Sequence, residues 1–288
     1  MNEFQHFLVT RFNLKIKGWD TTKNAESVLT DSWLQNRFEL FETYCLPSVI
    51  NQTDQDFIWY VCFDTETPQA YKKKIVKIEE KCRNFHPLFV DGSENYVHAV
   101  TQAITDELLT NDAPYIITTR MDNDDIIHQD FIASIQEAFV PVRDTVIDVR
   151  EGYQLSIEKA KYQVREYSHP FNAFVSVIER RDSFRTVTDR MHYDWKDYDS
   201  VVVVDNKRLW IELVHQKNKA NATLANVKKC YTFDAEAFSL EPERVELENK
   251  YSIFFSNTML AIRLYLIGLI RKNSRIEAIA RKLKRLFS

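Results

Sequence analysis

From residue 4 to residue 125 short apolar runs alternate with amphipathic stretches, and that order leaves few folds open. Residues 4–12 (FQHFLVTRF) and 57–63 (FIWYVCF) are rich in β-branched and aromatic side chains and too short for buried helices, so they read as buried strands. Between them Thr30, Asp31 and Ser32 offer N-caps for a helix whose Leu34, Phe38, Phe41 and Cys45 recur at helical steps, with Pro47 marking its end. Pro68 opens a helix with Ile75, Ile78 and Cys82 on one face, and residues 86–90 form a third strand. Ser93 caps a helix carrying Val97, Val100, Ile104 and Leu108, and residues 115–121 form a fourth strand. Such alternation implies right-handed crossovers and a mostly parallel sheet with helices on both faces. The carboxyl edge of that sheet gathers Arg11, Asp64, Ser93 and the residues just past the fourth strand.

Those residues are acidic. Asp122, Asn123, Asp124 and Asp125 place three negative charges in four residues, which repel one another unless water, a cation or basic neighbours hold them. Asp122 and Asp124 are two apart, so in a turn both carboxylates can meet one hard divalent cation, Mn²⁺ or Mg²⁺, with positions left for phosphate oxygens. The plain alternative is a solvated acidic turn capping the helix that starts near Gln129. An EF-hand loop fails on spacing, since the sixth position from Asp122 is Ile127 and the twelfth is Ala133. A phosphatase of the haloacid-dehalogenase type would want its Asp-x-Asp after the first strand, not the fourth.

Beyond a helix at 129–139 the pattern changes. Strand candidates at 145–149, 152–157, 173–178 and 201–204 have no long helices between them, so this half reads as mixed or antiparallel. Residues 1–240 read as one nucleotide-binding and catalytic domain, and 241–288 as a helical appendage. The net charge of −4 hides an asymmetry: residues 251–288 hold eight Lys or Arg against one acid, Glu277, leaving 30 basic against 41 acidic residues in 1–250. An acidic main domain makes nucleic acid a poor partner. The chain has four glycines, at 18, 92, 152 and 268, which excludes both a G-x-G-x-x-G turn and a Walker loop. Cys45, Cys62, Cys82 and Cys230 form no C-x-x-C pair and sit in apolar surroundings, as reduced thiols of a cytosolic protein do; the first residues lack the pattern of an export signal.

Residues 46–64 (LPSVINQTDQDFIWYVCFD) and the segment TRMDNDD-IIHQDFI resemble inverting glycosyltransferases of the GT-A fold, the Asp-x-Asp of Asp122 and Asp124 included. More narrowly, LVTRFN, TTRMDNDD and WIELVHQKN together resemble a bacterial family of putative rhamnosyltransferases, over residues 4 to about 220. The first strand ends in Thr-Arg-Phe-Asn where most such enzymes have a Pro-Thr-Tyr-Asn type turn, and the second half lacks a Glu-Asp pair. The resemblance implies a nucleotide-diphosphate sugar donor and a glycan or lipid-linked acceptor. It places Thr10, Arg11, Asp64, Arg120, Asp122 and Asn123 at the donor, Asp124 and Asp122 on the cation, and His215 within reach of the cation or diphosphate. Asp124→Asn is expected to leave the fold intact, because the residue lies at an exposed sheet edge. Asp64 has a structural alternative as the cap of the 65–68 turn.

A general base must reach the acceptor hydroxyl from the side opposite the diphosphate. Asp194 is the choice from residues 188–197 (TDRMHYDWKD), with Trp195 as a sugar platform and His192 as a charge partner; Asp189, Asp182 and Glu179 are rivals. Two other classes stay open: a noncatalytic carbohydrate or membrane-surface module, and a metal-dependent phosphoryl-transfer or hydrolytic enzyme. In the appendage, residues 253–270 are apolar but interrupted by Asn257 and Arg263, which favours a helix lying on a membrane over one spanning it. Ile276, Ile279, Leu283 and Leu286 recur at helical steps among basic residues. The expected location is cytoplasmic, peripheral on the inner face of the membrane; self-association through the same helices is the alternative.

Overall fold

The computed structural model describes residues 3–15, 30–157, 162–215 and 227–272. Its first half follows the alternation: β1 (Phe4–Arg11), α1 (Asp31–Leu40), α2 (Leu46–Ile50), β2 (Ile58–Asp64), α3 (Gln69–Glu79), β3 (Phe85–Val90), α4 (Tyr96–Leu108) and β4 (Tyr115–Arg120). Next come β5 (Ile126–Ile127), α5 (Phe131–Glu137), β6 (Thr145–Val149), β7 (Glu151–Ser156), β8 (Gln163–Ser168), β9 (Ser176–Arg180), β10 (Ser200–Val204), β11 (Trp210–Val214) and α6 (Lys250–Lys272). The main sheet has the order β10-β6-β9-β4-β1-β2-β3. Since β9 is antiparallel to both β4 and β6 while the other pairs are parallel, six strands run one way and β9 alone opposes them. A smaller sheet, β5-β11-β7-β8, receives the rest.

Alternation along the strands divides the core. Leu8, Trp59, Val61 and Phe63 meet Phe38, Phe41, Ile75, Ile78 and Phe131, so α1, α3 and α5 cover one face. Phe7, Val9, Tyr60 and Cys62 meet Val100, Ile104 and Leu108 of α4 on the other. Val146, Val175 and Val177, farther along that second face, pack with Val187 and Trp195. The four cysteines are free and buried, and burial pushes the Cys62 and Cys230 thiols up to about 12.

Several expectations are corrected. Pro47 does not end the first helix: a π-turn at Phe41–Cys45 intervenes and Pro47 sits in the first turn of α2, where its missing N–H breaks no bond. The third strand of the second half begins at Ser176, and the helix after the acid turn is limited to Phe131–Glu137. β8 departs from the sequence pattern, because Arg165 and Glu166 make QVREYS look like a loop, yet it is the half-buried edge of the small sheet. The chain through Glu246 is bonded to Tyr162, so α6 begins beyond a segment tied to the body. The basic run from residue 273 onward, with its apolar stripe at 276–286, lies outside the described residues, as do residues 216–226 after His215.

The core supports two expected outcomes. Burial lowers His6 from 6.5 to about 3, and its Nε2 lies 2.8 Å from the Thr119 hydroxyl. The unfolded chain therefore takes up a proton below pH 6.5 that the native state refuses, so this contribution is fully present above that pH and is lost as pH falls toward 3. Between pH 7 and pH 5 it removes roughly 2 kcal/mol, and urea melts of His6→Gln should show a shallower acid slope than wild type. A Cβ added at Gly152 would lie 2.2 Å from the Trp210 ring, which itself stacks on Phe174 at 5.0 Å. Gly152→Ala should accordingly cost about 1–3 kcal/mol, read as a lowered Tm.

Candidate active site at the carboxyl edge of the sheet

The four polar residues after β4 go four ways. Asp122 remains the most open: its side chain is 40% exposed and its Oδ1 accepts from Arg120 Nη2 at 3.2 Å. Asn123 is buried and turns its amide to the scaffold, donating to the Phe12 carbonyl at 2.7 Å and the Arg11 carbonyl at 3.2 Å, and accepting from Arg37 Nη1. Asp124 turns inward, its Oδ2 lying 2.7 Å from Arg37 Nη1 and 3.0 Å from His215 Nε2. Asp125 reaches the second sheet, where its Oδ1 accepts from the Leu213 N–H at 3.1 Å. β5 continues that link by pairing antiparallel with Trp210 and Ile211.

This arrangement answers the repulsion inherent in the sequence. Burial alone would raise the Asp124 carboxyl, but the Arg37 guanidinium and the His215 imidazole together hold it well below the usual range. Burial pushes Asp125 well up, with Asp124 and Asp122 adding to the effect. Glu212 on β11 is raised for the same reasons, burial first and the two aspartates after it, and it accepts from Gln154 at 3.3 Å. Arg120 is raised above its ordinary value chiefly by Asp122. One ionised and shared carboxylate, one open one and one buried one thus follow from position alone.

A cleft of about 200 Å³ opens beside Asp122, lined by Arg11, Tyr96, Arg120, Asp122, Asp189 and Met191 among others. That is below the ~300–1,000 Å³ of a complete small-molecule pocket, so it suits the reacting end of a ligand. Of the residues assigned to the donor, Arg11, Arg120 and Asp122 meet here. Thr10 does not join them: it is fully buried, and its hydroxyl accepts from the Trp59 indole at 2.9 Å. Asp64 is buried as well, its two oxygens taken by the backbone N–H groups of Lys15 and Glu66, which is the capping role. Nor is Asp124 at an exposed edge, being 8% exposed.

The carboxylates of the second half also separate. Glu179 is buried and caps a turn through the N–H groups of Arg185 and Thr186. Asp182 is exposed and paired with Arg180. Asp194 sits in a 3₁₀ turn at His192–Asp197 and does not line the cleft, because that turn buries Trp195 against the sheet. Trp195 is therefore no sugar platform, and His192 is bonded to the Phe171 carbonyl rather than offered to Asp194. Asp189 is the carboxylate of that stretch that reaches the cleft, 3.8 Å from Arg190.

Sequence reasoning missed Arg37 and Glu212. Arg37 stands next to Phe38, on the rim of the α1 apolar face, and its guanidinium also lies over the Trp33 ring at 5.3 Å. A basic residue at such a rim is a signal, but periodicity does not tell which sheet edge it overhangs. As for a cation, no three acidic, His or Cys side chains stand together as a finished ligand set among the described residues. The donor types nonetheless fit Mn²⁺ or Mg²⁺. Asp124 and His215 are already brought together by a 3.0 Å contact between Oδ2 and Nε2, and Asp122 is open to solvent.

The family described as putative rhamnosyl transferase matches the chain over residues 5–227. No curated protein matches it. Among solved structures it is similar to S. aureus TarS 1–349 in complex with UDP-GlcNAc, at 12% identity and a TM-score of 0.44, covering 77% of this chain and 62% of that one. It is also similar to the UDP complex of TarS 1–349, at 12% and 0.42 over 73% and 60%. A third is a putative nucleotide-diphospho-sugar transferase from Desulfovibrio desulfuricans G20, at 10% and 0.37 over 76% and 84%. The chain thus spans about 60% of the TarS 1–349 structures. With a sheet in which β9 opposes six parallel strands and an acid turn at its carboxyl edge, and a family match from residue 5 to residue 227, the chain belongs to the family described as putative rhamnosyl transferase.

Proposed function

We propose that the protein moves a sugar, L-rhamnose being favoured by the family's description, from a deoxythymidine- or uridine-diphosphate donor to a hydroxyl of a glycan or lipid-linked acceptor, with inversion. The observation that carries this reading is the cleft shared by Arg11, Arg120, Asp122 and Asp189. Two guanidinium groups suit the phosphates of a departing nucleoside diphosphate, whose charge grows as the glycosidic oxygen leaves. Bound Mn²⁺ or Mg²⁺ supplies a Lewis-acidic charge for that same diphosphate. Asp122, Asp124 and His215 are the residues that would hold it, Asn123 and Asp125 fixing the turn from which the two aspartates project.

Asp189 takes the place of Asp194 as the general base, since a base must lie in the space the acceptor enters. It accepts the proton of the acceptor hydroxyl as that oxygen bonds to the anomeric carbon. The bond from that carbon to the diphosphate oxygen breaks on the far side, and its electron pair leaves with the nucleoside diphosphate. A noncatalytic module would bind the nucleotide without turnover, and a phosphoryl-transfer enzyme would release phosphate from simple esters.

Three outcomes test the reading. Asp122→Asn, an open position, should lower sugar transfer or the slow hydrolysis of the donor on the order of 100-fold with an unchanged Tm. Asp124→Asn should lower activity as far and also cost roughly 1–3 kcal/mol of stability, because Arg37 loses its buried partner. Asp189→Asn should reduce kcat about 100-fold or more while the donor KM stays near wild type. Thermal shifts with TDP and UDP, each with and without Mn²⁺, report binding separately; full turnover in Asp122→Asn, or phosphate release from simple esters, would sink the proposal.

A further inference from the structure

α6 is 23 residues long and leaves the body with one side unpartnered. Its inner side is fixed: Ile253 is 1% exposed, and Asn257 makes a reciprocal pair with the backbone of Lys229, accepting from its N–H and donating to its carbonyl at 3.0 Å each. At about 100° per residue, Tyr251, Phe254, Phe255, Ile262, Tyr265 and Leu269 fall on one outer stripe, all between 46% and 85% exposed. Only 6% of the window Lys250–Leu269 is buried, and its mean hydropathy is 1.4. Arg263 is the single charge from residue 251 to residue 270. A contiguous aromatic and aliphatic stripe of this kind marks an interaction surface.

We infer that this stripe seats on an anionic lipid surface, with the helix lying in the plane of the interface. Two observations choose lipid as the occupant. Phe and Tyr dominate the outer face, rings suited to the boundary between headgroups and acyl chains. The segment beyond it is basic: residues 271–288 hold seven Lys or Arg against Glu277, beside a body of 30 basic and 41 acidic residues that an anionic surface would otherwise repel. Length decides between lying and spanning. α6 as a whole is long enough to cross a bilayer, but its first two turns are pinned to the protein through Ile253 and Asn257. The thirteen residues 258–270 rise about 20 Å, short of a hydrocarbon core of about 30 Å. This inference stands apart from the transferase reading and uses none of its residues.

Flotation of the full chain with vesicles tests it. Wild type should float with phosphatidylcholine vesicles containing phosphatidylglycerol, and at least about tenfold less with pure phosphatidylcholine or in high salt. The Phe254→Glu/Phe255→Glu double variant should float at least about tenfold less with an unchanged Tm. Ile262→Glu, two turns along the same stripe, repeats the measurement should the double variant melt early. Failure of wild type to float with anionic vesicles overturns the inference, as does flotation unaffected by either variant. A dimer in sedimentation velocity that the variants dissociate, without vesicle binding, makes the stripe a seam between copies and overturns it as well.

Discussion

One carboxylate oxygen, Oδ2 of Asp124, is shared between Arg37 on α1 and His215 at the end of β11, and three separate parts of the fold meet on it. α1 rides on the main sheet, β11 belongs to the small one, and Asp124 lies in the turn after β4 of the main sheet. A charge so placed is costly to bury without partners and costly to strip of them. The same pairing keeps the Asp124 carboxyl ionised, where a neutral one could not balance Arg37.

The turn works because its neighbours divide the duties. Asn123 and Asp125 face inward and are satisfied by backbone groups of β1 and β11, so the turn is held from both sides by uncharged hydrogen bonds or by a carboxyl that burial favours in its neutral form. Only Asp122 faces the cleft with solvent at its side. Preorganisation of this kind fixes a charged group within reach of a ligand without asking the ligand to order it.

Much of this was legible in the sequence, for physical reasons. The strands of the first half, the carboxyl-edge position of Arg11 and the acid turn follow from periods of two and 3.6 and from the handedness of crossovers. His215 came through resemblance, and the structure sets it against Asp124. The hidden part depends on contacts between distant segments. Arg37 overhangs the turn only because α1 packs across β1 at that height, and Thr10 looks polar and available until Trp59 is seen to claim its hydroxyl. Asp189 lines the cleft and Asp194, in the next 3₁₀ turn beyond the extended Arg190 and Met191, does not, and no periodic signal says which side of so short a segment carries the buried Trp195. Pro47 misled because a π-turn can reset the helix just ahead of a proline.

β9 is the reversed strand of the main sheet, and its direction has an architectural consequence: its last residue, Arg180, lies at the edge opposite the acid turn. The chain must climb back across the sheet before it can close the cleft, and it does so in 3₁₀ turns, anchored where the Val187 N–H meets the Thr118 hydroxyl at 2.8 Å. The cleft wall at 188–191 is therefore an overlay rather than a strand, hydrogen-bonded into no ladder. Its length and side chains can be rewritten without shifting the register of a single strand. The wall of the cleft is a replaceable part, mounted on a sheet edge that stays as it is.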